Sequence, residues 1–424
     1  MRKLSLVALG AATMLALAGC ASGGSAASGS STPEAGSIRV WLNGTDTPQA
    51  ARDYLKTTFE KQNPGSTLTV EEQSWTGLVD KLTTSLSGSD SPDVVEVGNT
   101  QAAAFTSAGA FEDLTSKLQE LGGSDLLPGF VAAGTYDGKF YAAPYYSGAR
   151  LVFYKKDLLA ASGLSVPTTL DQYVSNGVTL AAANPGVSGI YFPGQDWYNA
   201  LPYIWENGGE IATDDNGTWK AGFESAGAIA GLKQVQQVME KASVAPKDGN
   251  ETDPQVPFCA GTVAQVSAPS WVKGSILAAA DAKAPGCPDQ TANLGVYALP
   301  GKNGGAAQVF AGGSNIAIAA KSAHPDLAYS ALKIMLGTDY QTILGKTGLV
   351  PALKSLSSTL GTDDVAKATA EAAANAKLTP ASPKWADVEA AGILQDFFVK
   401  IGQGGDVTAL ATDVDSKINA ILNG

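Results

Sequence analysis

The chain is short of the residues on which most enzyme chemistry depends. Among 424 residues it has one histidine, His324, and three cysteines, Cys20, Cys259 and Cys287. A single histidine argues against a His-dependent nucleophilic mechanism. Its setting, Ser322-Ala323-His324-Pro325-Asp326, reads as a helix start with Pro325 in the first turn and His324 at the surface. One histidine and two body thiols without ligand-like spacing fit a zinc site poorly, so no metal and no cofactor is expected. Basic residues are also few, 28 Lys and Arg against 40 Asp and Glu, for a formal net charge of -12. Without a Lys/Arg cluster the chain lacks the footprint of a nucleic-acid binder, and its ligand is expected to be neutral or cationic. Internal repeats and β-rich modules, which a lipid-anchored adhesion or scaffold protein would show, are missing too.

What is present begins at the N-terminus. Arg2 and Lys3 precede an apolar run from Leu4 to Ala18 that ends in Leu17-Ala18-Gly19-Cys20. The run is shorter than the ~20 residues of a spanning helix. The pattern predicts a secretory signal closed by a lipobox over residues 1–20, with the Cys20 thiol accepting a diacylglyceryl group. One acyl chain binds a membrane marginally, at about 0.8 kcal/mol per buried CH₂, whereas two or more hold it stably. Cys20 is therefore expected to tether the protein to the outer face of the cell membrane. Residues 21–37 are small and polar and read as a flexible leash. With Cys20 lipidated in an exported, oxidising setting, Cys259 and Cys287 are the single possible pair, and a structural disulfide is expected.

From Ile38 the body is long enough for two or more domains, with ordinary globular composition. Ile38-Arg39-Val40-Trp41-Leu42 reads as a strand. Thr47 and Pro48 cap and open a helix carrying Ala51, Leu55 and Phe59, and Leu68-Thr69-Val70 forms a second strand. Leu78, Leu82 and Leu86 recur at helical spacing, and Val94-Val95-Glu96-Val97 forms a third strand. This alternation predicts a parallel sheet covered by helices, whose ligands sit beyond the carboxyl ends of the strands. The loops there, Asn43-Gly44-Thr45-Asp46, Gln73-Ser74-Trp75 and Gly98-Asn99-Thr100-Gln101, offer amide, hydroxyl and carboxylate groups and one indole. Each alone is ordinary turn chemistry; their joint position suits a polyhydroxylated ligand.

Farther on, Tyr136-Asp137-Gly138-Lys139-Phe140-Tyr141 carries a tight-turn signal. It leads through Pro144-Tyr145-Tyr146-Ser147-Gly148 into Leu151-Val152-Phe153-Tyr154, where the chain leaves a first lobe. A helix over 225–241 buries Ile229, Leu232, Val235 and Met239. Trp197, Tyr198, Trp205, Trp219 and Trp271 lie among Asp, Asn and Gly rather than in apolar runs. Sugars present flat C–H faces beside hydroxyls, and an indole with nearby amides and carboxylates matches both. Trp41 and Trp219 read as packing residues.

Val40-Trp41-Leu42-Asn43-Gly44, Ser91-Pro92-Asp93-Val94-Val95, Tyr141-Ala142-Ala143-Pro144 leading to Tyr154-Lys155-Lys156-Asp157-Leu158-Leu159, and Ala268-Pro269-Ser270-Trp271 follow in that order behind a lipobox. Together they resemble the extracellular solute-binding proteins of carbohydrate importers, of which maltose-binding protein is the familiar member. The resemblance covers nearly the whole body. It implies an α/β fold of the type II periplasmic-binding-protein kind, two α/β lobes joined by a hinge with ligand in the cleft, and no catalysis. Lobe 1 would comprise residues 38–147 and 314–350, and lobe 2 residues 148–313 and 351–424 with C-terminal helices.

Carried over residue by residue, the resemblance implies ligand contacts at Asn43, Thr45 and Asp46, and at Asn99, Thr100 and Gln101. In the second lobe it implies Asp196, Trp197, Tyr198, Trp271 and a late stacking residue, Trp385. Trp75 and Tyr146 join on position. Val309 to Ile318 reads as the return crossing, bringing Ser314 to the site, with Gly312 and Gly313 giving backbone freedom or forming an ordinary loop. The implied partners are a small carbohydrate and the permease subunits of an ABC transporter, with the receptor a monomer outside the cytoplasm. Val40 to Leu42 and Val97 to Gln101 are most similar to actinobacterial receptors for N,N′-diacetylchitobiose, followed by cellobiose and malto-oligosaccharide receptors. The competing class is a lipid-anchored glycoside hydrolase, which needs two carboxylates roughly 5 to 9.5 Å apart. Asp46 and Asp196, expected to face each other across the hinge, are its nearest candidates.

Overall fold

The computed structural model describes residues 35–280 and 285–424. The expected signal segment, Cys20 and nearly all of the expected linker lie outside the described residues, among which no helix is long and apolar enough to cross a membrane.

Strand β1 (Ser37–Asn43) alternates its side chains in the two-residue period of a pleated strand. Ile38, Val40 and Leu42 enter one apolar layer and Trp41 the layer on the opposite face. Helix α1 (Gln49–Gln62) buries Ala51, Leu55 and Phe59, which recur every four residues. Thr47 does not cap it. Its hydroxyl shares a 2.8 Å hydrogen bond with the Tyr145 hydroxyl, and Pro48 stands before the first turn. Strand β2 (Thr67–Gln73) pairs parallel to β1, helix α2 (Leu78–Ser87) buries Leu78, Leu82 and Leu86, and β3 (Val94–Gly98) pairs parallel on the other side of β1. Because β1 lies between β2 and β3, the ends of β1 and β3 open side by side, the arrangement that makes a crevice in such sheets. Helix α3 (Asn99–Ser107) starts at the end of β3, so the third expected loop is a helix N-terminus.

The turn at Asp137 and Gly138 closes a hairpin of two-residue strands, both residues taking positive φ, 47° and 72°. This is the pairing a tight hairpin requires. The following strand β4 (Ala142–Lys155) is continuous over 14 residues, a span of roughly 45 Å at the usual rise per residue. The second lobe adds helix α4 (Trp197–Glu206), capped by Asp196, and helix α5 (Ala226–Lys241), capped by Ser225. It also adds strands β5 (Gln265–Pro269) and β6 (Leu294–Ala298), both antiparallel to β4.

Strand β7 (Ala311–Ile318) then returns, antiparallel to both β4 and β3. Its register slips between Ser314 and Asn315, next to Gly313 at φ 143°, a bulge that bends the strand where the lobes meet. Helices α6 (Pro325–Met335) and α7 (Thr338–Lys346) and the short β8 (Val350–Pro351), paired with β4, complete the first lobe. His324 sits half-buried before α6 and makes no capping bond. Helices α8 (Trp385–Ala390), α9 (Ile393–Gly402) and α10 (Val407–Asn423) pack back onto the second lobe.

The eight strands form one sheet in the order β6-β4-β7-β3-β1-β2, with β5 and β8 also on β4. It is mixed rather than parallel, because β4 and β7 run against the first three strands. Apolar packing divides along β4. Tyr145 and Tyr146 join the core of Phe59, Ile316, Leu332 and Tyr340, whereas Leu151, Val152 and Phe153 join that of Phe192, Val235, Trp385 and Phe398. Cys259 and Cys287 are joined as a disulfide in the second lobe, their Cα atoms 5.4 Å apart.

Candidate functional site

Between the two cores, at the ends of β1 and β3 and against β4 and β7, lies a cavity of about 530 Å³, within the usual range for small-molecule sites. On the first-lobe side Asp46, Trp75, Tyr146 and Ser314 reach its wall, together with Asn99, Thr100 and Gln101 of the α3 N-terminus.

Trp75 is 41% exposed, in a chain whose other large aromatics are mostly buried. Its Nε1–H donates to Asp46 Oδ2 at 2.9 Å, which fixes the ring's edge and leaves a face free. The loop carrying Asp46 is clamped by Arg52, which donates to the carbonyls of Gly44 at 2.6 Å and Thr47 at 2.9 Å. Burial pushes the Asp46 carboxyl above its ordinary value, opposed by the Trp75 hydrogen bond and the Arg52 charge. Behind this wall Glu96 is fully buried in β3. One carboxylate oxygen accepts the Asn43 N–H and the other the Tyr146 hydroxyl, each at 2.7 Å. Loss of hydration raises its pKa to about 7 despite these bonds.

The second-lobe wall is built around Arg150 of β4, only 3% exposed. Its guanidinium donates to Asp196 Oδ1 at 3.3 Å, to the Ser267 carbonyl at 3.2 Å and to Glu251. Asp196 also accepts the Asn199 N–H at 3.1 Å, so the helix cap and the ion pair share one carboxylate. Burial pushes Asp196 well above its ordinary value, opposed by Arg150 and reinforced by Glu251. Tyr198 stacks on Phe310, centroids 4.4 Å apart, and the Arg150 guanidinium lies 5.8 Å from its ring centroid. Trp271 lies half-buried against β4 and β7. A Cβ on Gly148 would run into its six-membered ring, and one on Gly312 would sit 3.6 Å away. Glycine at position 148 is thus what lets the indole lie on the hinge strands.

Ten of the sequence-derived contacts line the cavity: Asp46, Trp75, Asn99, Thr100, Gln101, Tyr146, Asp196, Tyr198, Trp271 and Ser314. Four do not. Asn43, fully buried, closes β1 and donates through Nδ2 to the Glu96 carbonyl at 3.1 Å. Thr45 is exposed at the loop tip, beyond the lining. Trp197 turns inward on α4, and its ring lies 6.4 Å from that of Trp385 in the second core. Trp385, 0% exposed, is core as well, and its Nε1–H donates to Glu389 at 2.9 Å. Apolar area outweighs the polar neighbours that suggested a pocket for Trp197, and it outweighs the stacking role that the resemblance implied for Trp385. Trp205 is core too, and Trp219 packs partly buried at its edge.

Arg150, Glu251 and Phe310 line the cavity without having been singled out. Arg150 had a signal, a charge within the apolar stretch Ala149-Arg150-Leu151-Val152-Phe153, since a buried charge needs partners. Glu251, in a loop distant in sequence, carried none. Among the described residues no group of three or more His, Cys, Asp or Glu has metal-holding geometry.

Two lobes on a shared sheet, with aromatic faces and fixed polar groups on either side of a cleft, define a hinged solute receptor. Residues 43–342 match the family described as bacterial extracellular solute-binding protein. Over 391 residues the chain is 30% identical to the diacetylchitobiose binding protein DasA of Streptomyces coelicolor, covering 91% of this chain and 89% of the relative. Its fold is similar to that of the GacH receptor of Streptomyces glaucescens, with TM-score 0.78 and 23% identity over 92% of this chain and 99% of that one. It is similar too to the sugar-binding protein MalE of Xanthomonas citri, with TM-score 0.77 and 22% identity over 91% and 97%. The chain belongs to the bacterial extracellular solute-binding protein family. It is an extracytoplasmic transport receptor and not an enzyme, which sets the hydrolase alternative aside.

Proposed function

We propose that this receptor captures a neutral di- or oligosaccharide, N,N′-diacetylchitobiose first among the candidates, and delivers it to the permease of an ABC importer as a monomer anchored through Cys20. The observation that carries the sugar reading is the pairing of Trp75 on one lobe with Trp271 and Tyr198 on the other, around one cavity with fixed polar groups between them. Aromatic faces take sugar C–H surfaces, and Asn99, Ser314 and Asp46, which line the same cavity, carry groups that suit hydroxyl and acetamido partners. The lining has four carboxylates, Asp46, Asp196, Glu251 and Asp253, against one cation, Arg150, which disfavours uronates and sugar phosphates. The 30% identity to a diacetylchitobiose-binding relative supports that ligand over the other candidates. Partition of the two cores supports two lobes divided near residues 148 and 314 and hinged along β4 and β7, with the first lobe running past residue 350 to take in Ala352 and Leu353. Closure on a ligand that touches both lobes then follows from differential affinity for the closed form.

A thermal-shift screen tests the reading. Chitobiose at 100 times Kd is expected to add about 2.7 kcal/mol to the stability of the folded state. A flat response across chitobiose, cellobiose, maltose and trehalose would sink the sugar assignment.

Leu17-Ala18-Gly19-Cys20 supports the anchor. Cys20→Ala is expected to move the protein from the membrane to the soluble fraction with binding intact. Retention of the variant in membranes would remove the tether.

A further inference from the structure

Thr100 and Gln101 open α3 at the cleft, yet neither side chain is free there. The Thr100 hydroxyl donates to Glu389 Oε2 at 2.8 Å and the Gln101 amide donates to the same oxygen at 3.2 Å. Glu389 stands on α8, whose Trp385 and Val388 are buried in the second core, while α3 sends Ala102 and Phe105 into the first lobe. The Trp385 Nε1–H holds the other carboxylate oxygen, Oε1, at 2.9 Å. The carboxylate therefore has one oxygen fixed within its own lobe and the other extended across the cleft. At the receiving end α3 begins without a side-chain cap and has no acidic residue in its first turn. An acidic group near a helix N-terminus is favoured by the exposed N–H groups and the helix dipole. Here the other lobe supplies it.

We propose that Glu389 is a clasp between the lobes, a positioning residue that holds α8 to the α3 N-terminus and so sets the balance between open and closed receptor. Thr100 and Gln101 act first as the clasp's receiving groups. Trp385 aims the carboxylate from within the core, which gives a fully buried tryptophan a part in lobe closure. The inference rests on the receptor reading for its importance and on neither the identity nor the chemistry of the solute.

Small-angle scattering of the full chain without sugar reads the clasp directly. Burial raises the Glu389 pKa to about 7 against the hydrogen bonds from Thr100, Trp385 and Gln101, so the measurement is made at pH 8, where the carboxylate is charged and such hydrogen bonds are worth enough to change a two-state ratio by about tenfold or more. Glu389→Ala is expected to shift the population toward the open form by about that factor and raise the radius of gyration. Thr100→Val, made from the opposite lobe, is expected to produce part of the same change and to add little in the Glu389→Ala background. Trp385→Phe, which removes only the Nε1–H donor, is expected to loosen the clasp partially, and Glu389→Gln to retain part of it. An unchanged radius of gyration in Glu389→Ala, or fully additive effects of Glu389→Ala and Thr100→Val, would overturn the proposal. Should Glu389→Ala fail to fold, Thr100→Val and Gln101→Ala decide the matter from the first lobe, and no change in either overturns it. These outcomes stand whichever solute binds, so failure of the sugar assignment leaves a separate mark, a flat thermal-shift screen.

Discussion

Trp271→Ala is expected to weaken sugar binding about 30-fold or more, the loss typical of a buried aromatic anchor worth 2 kcal/mol or above. The indole lies half-buried on Gly148 and Gly312 and lines the cavity, packing partly against both cores without belonging to the interior of either. Truncation therefore removes a stacking face from the cleft while opening little closed cavity, and its effect on the empty protein should stay below the ~3–5 kcal/mol of a buried aromatic. Titration calorimetry with chitobiose and melting without ligand separate the two effects. A variant that melts far below wild type, yet binds normally where folded, would make Trp271 a packing residue and leave the second-lobe wall to Tyr198.

The other large effect is on pH dependence. Glu96 is fully buried, and its pKa rises from an ordinary 4.5 to about 7 because burial penalises the charged form more than Asn43 and Tyr146 compensate it, with Asp46 adding repulsion. The folded state thus holds a proton that the unfolded chain releases between these values. The resulting stability is fully present below about pH 4.5 and is lost as pH rises through about 7. Glu96→Gln mimics the protonated acid, and its amide can keep both partners. The variant is expected to lose this slope and to gain on wild type by roughly 3 kcal/mol between pH 4.5 and 8. Urea unfolding midpoints at pH 5, 6, 7 and 8 measure it, and parallel curves for the two proteins would place the titration elsewhere.

Much of the first lobe was legible because its signals are local. Ile38, Val40 and Leu42 alternate, Ala51, Leu55 and Phe59 recur every four residues, and the strand ends bring Asp46 and Gln101 to one cavity. Strand β4 was not legible as one element, since Pro144, Gly148 and Arg150 interrupt its apolar pattern and read as breaks between pieces. Pairing with four other strands overrides that local reading. Trp197 and Trp385 misled for a different reason. Polar neighbours in sequence do not tell which side of a short helix meets the core, and a resemblance does not carry over which way a helix is turned, so Trp197 and Trp385 both face inward while Tyr198, one position after Trp197, reaches the cleft. Glu96 read as a strand residue among valines, and only burial on both faces of the sheet reveals its cost.

Strand β4 also limits how this molecule can be taken apart. Its first half pairs with β7 and β8 and its second with β5 and β6, so one unbroken backbone belongs to both lobes. Cutting the chain near Gly148 to isolate a module would leave each fragment half a strand, with exposed N–H and C=O groups along its new edge. The two cores also draw on alternating segments, because Ile316 and Ile318 of β7 pack in the first core after the second has begun, and Trp385, Phe398 and Ile418 of α8 to α10 pack in the second. Neither lobe is a portable unit, and a graft of the binding cleft onto another scaffold must carry the whole sheet with it.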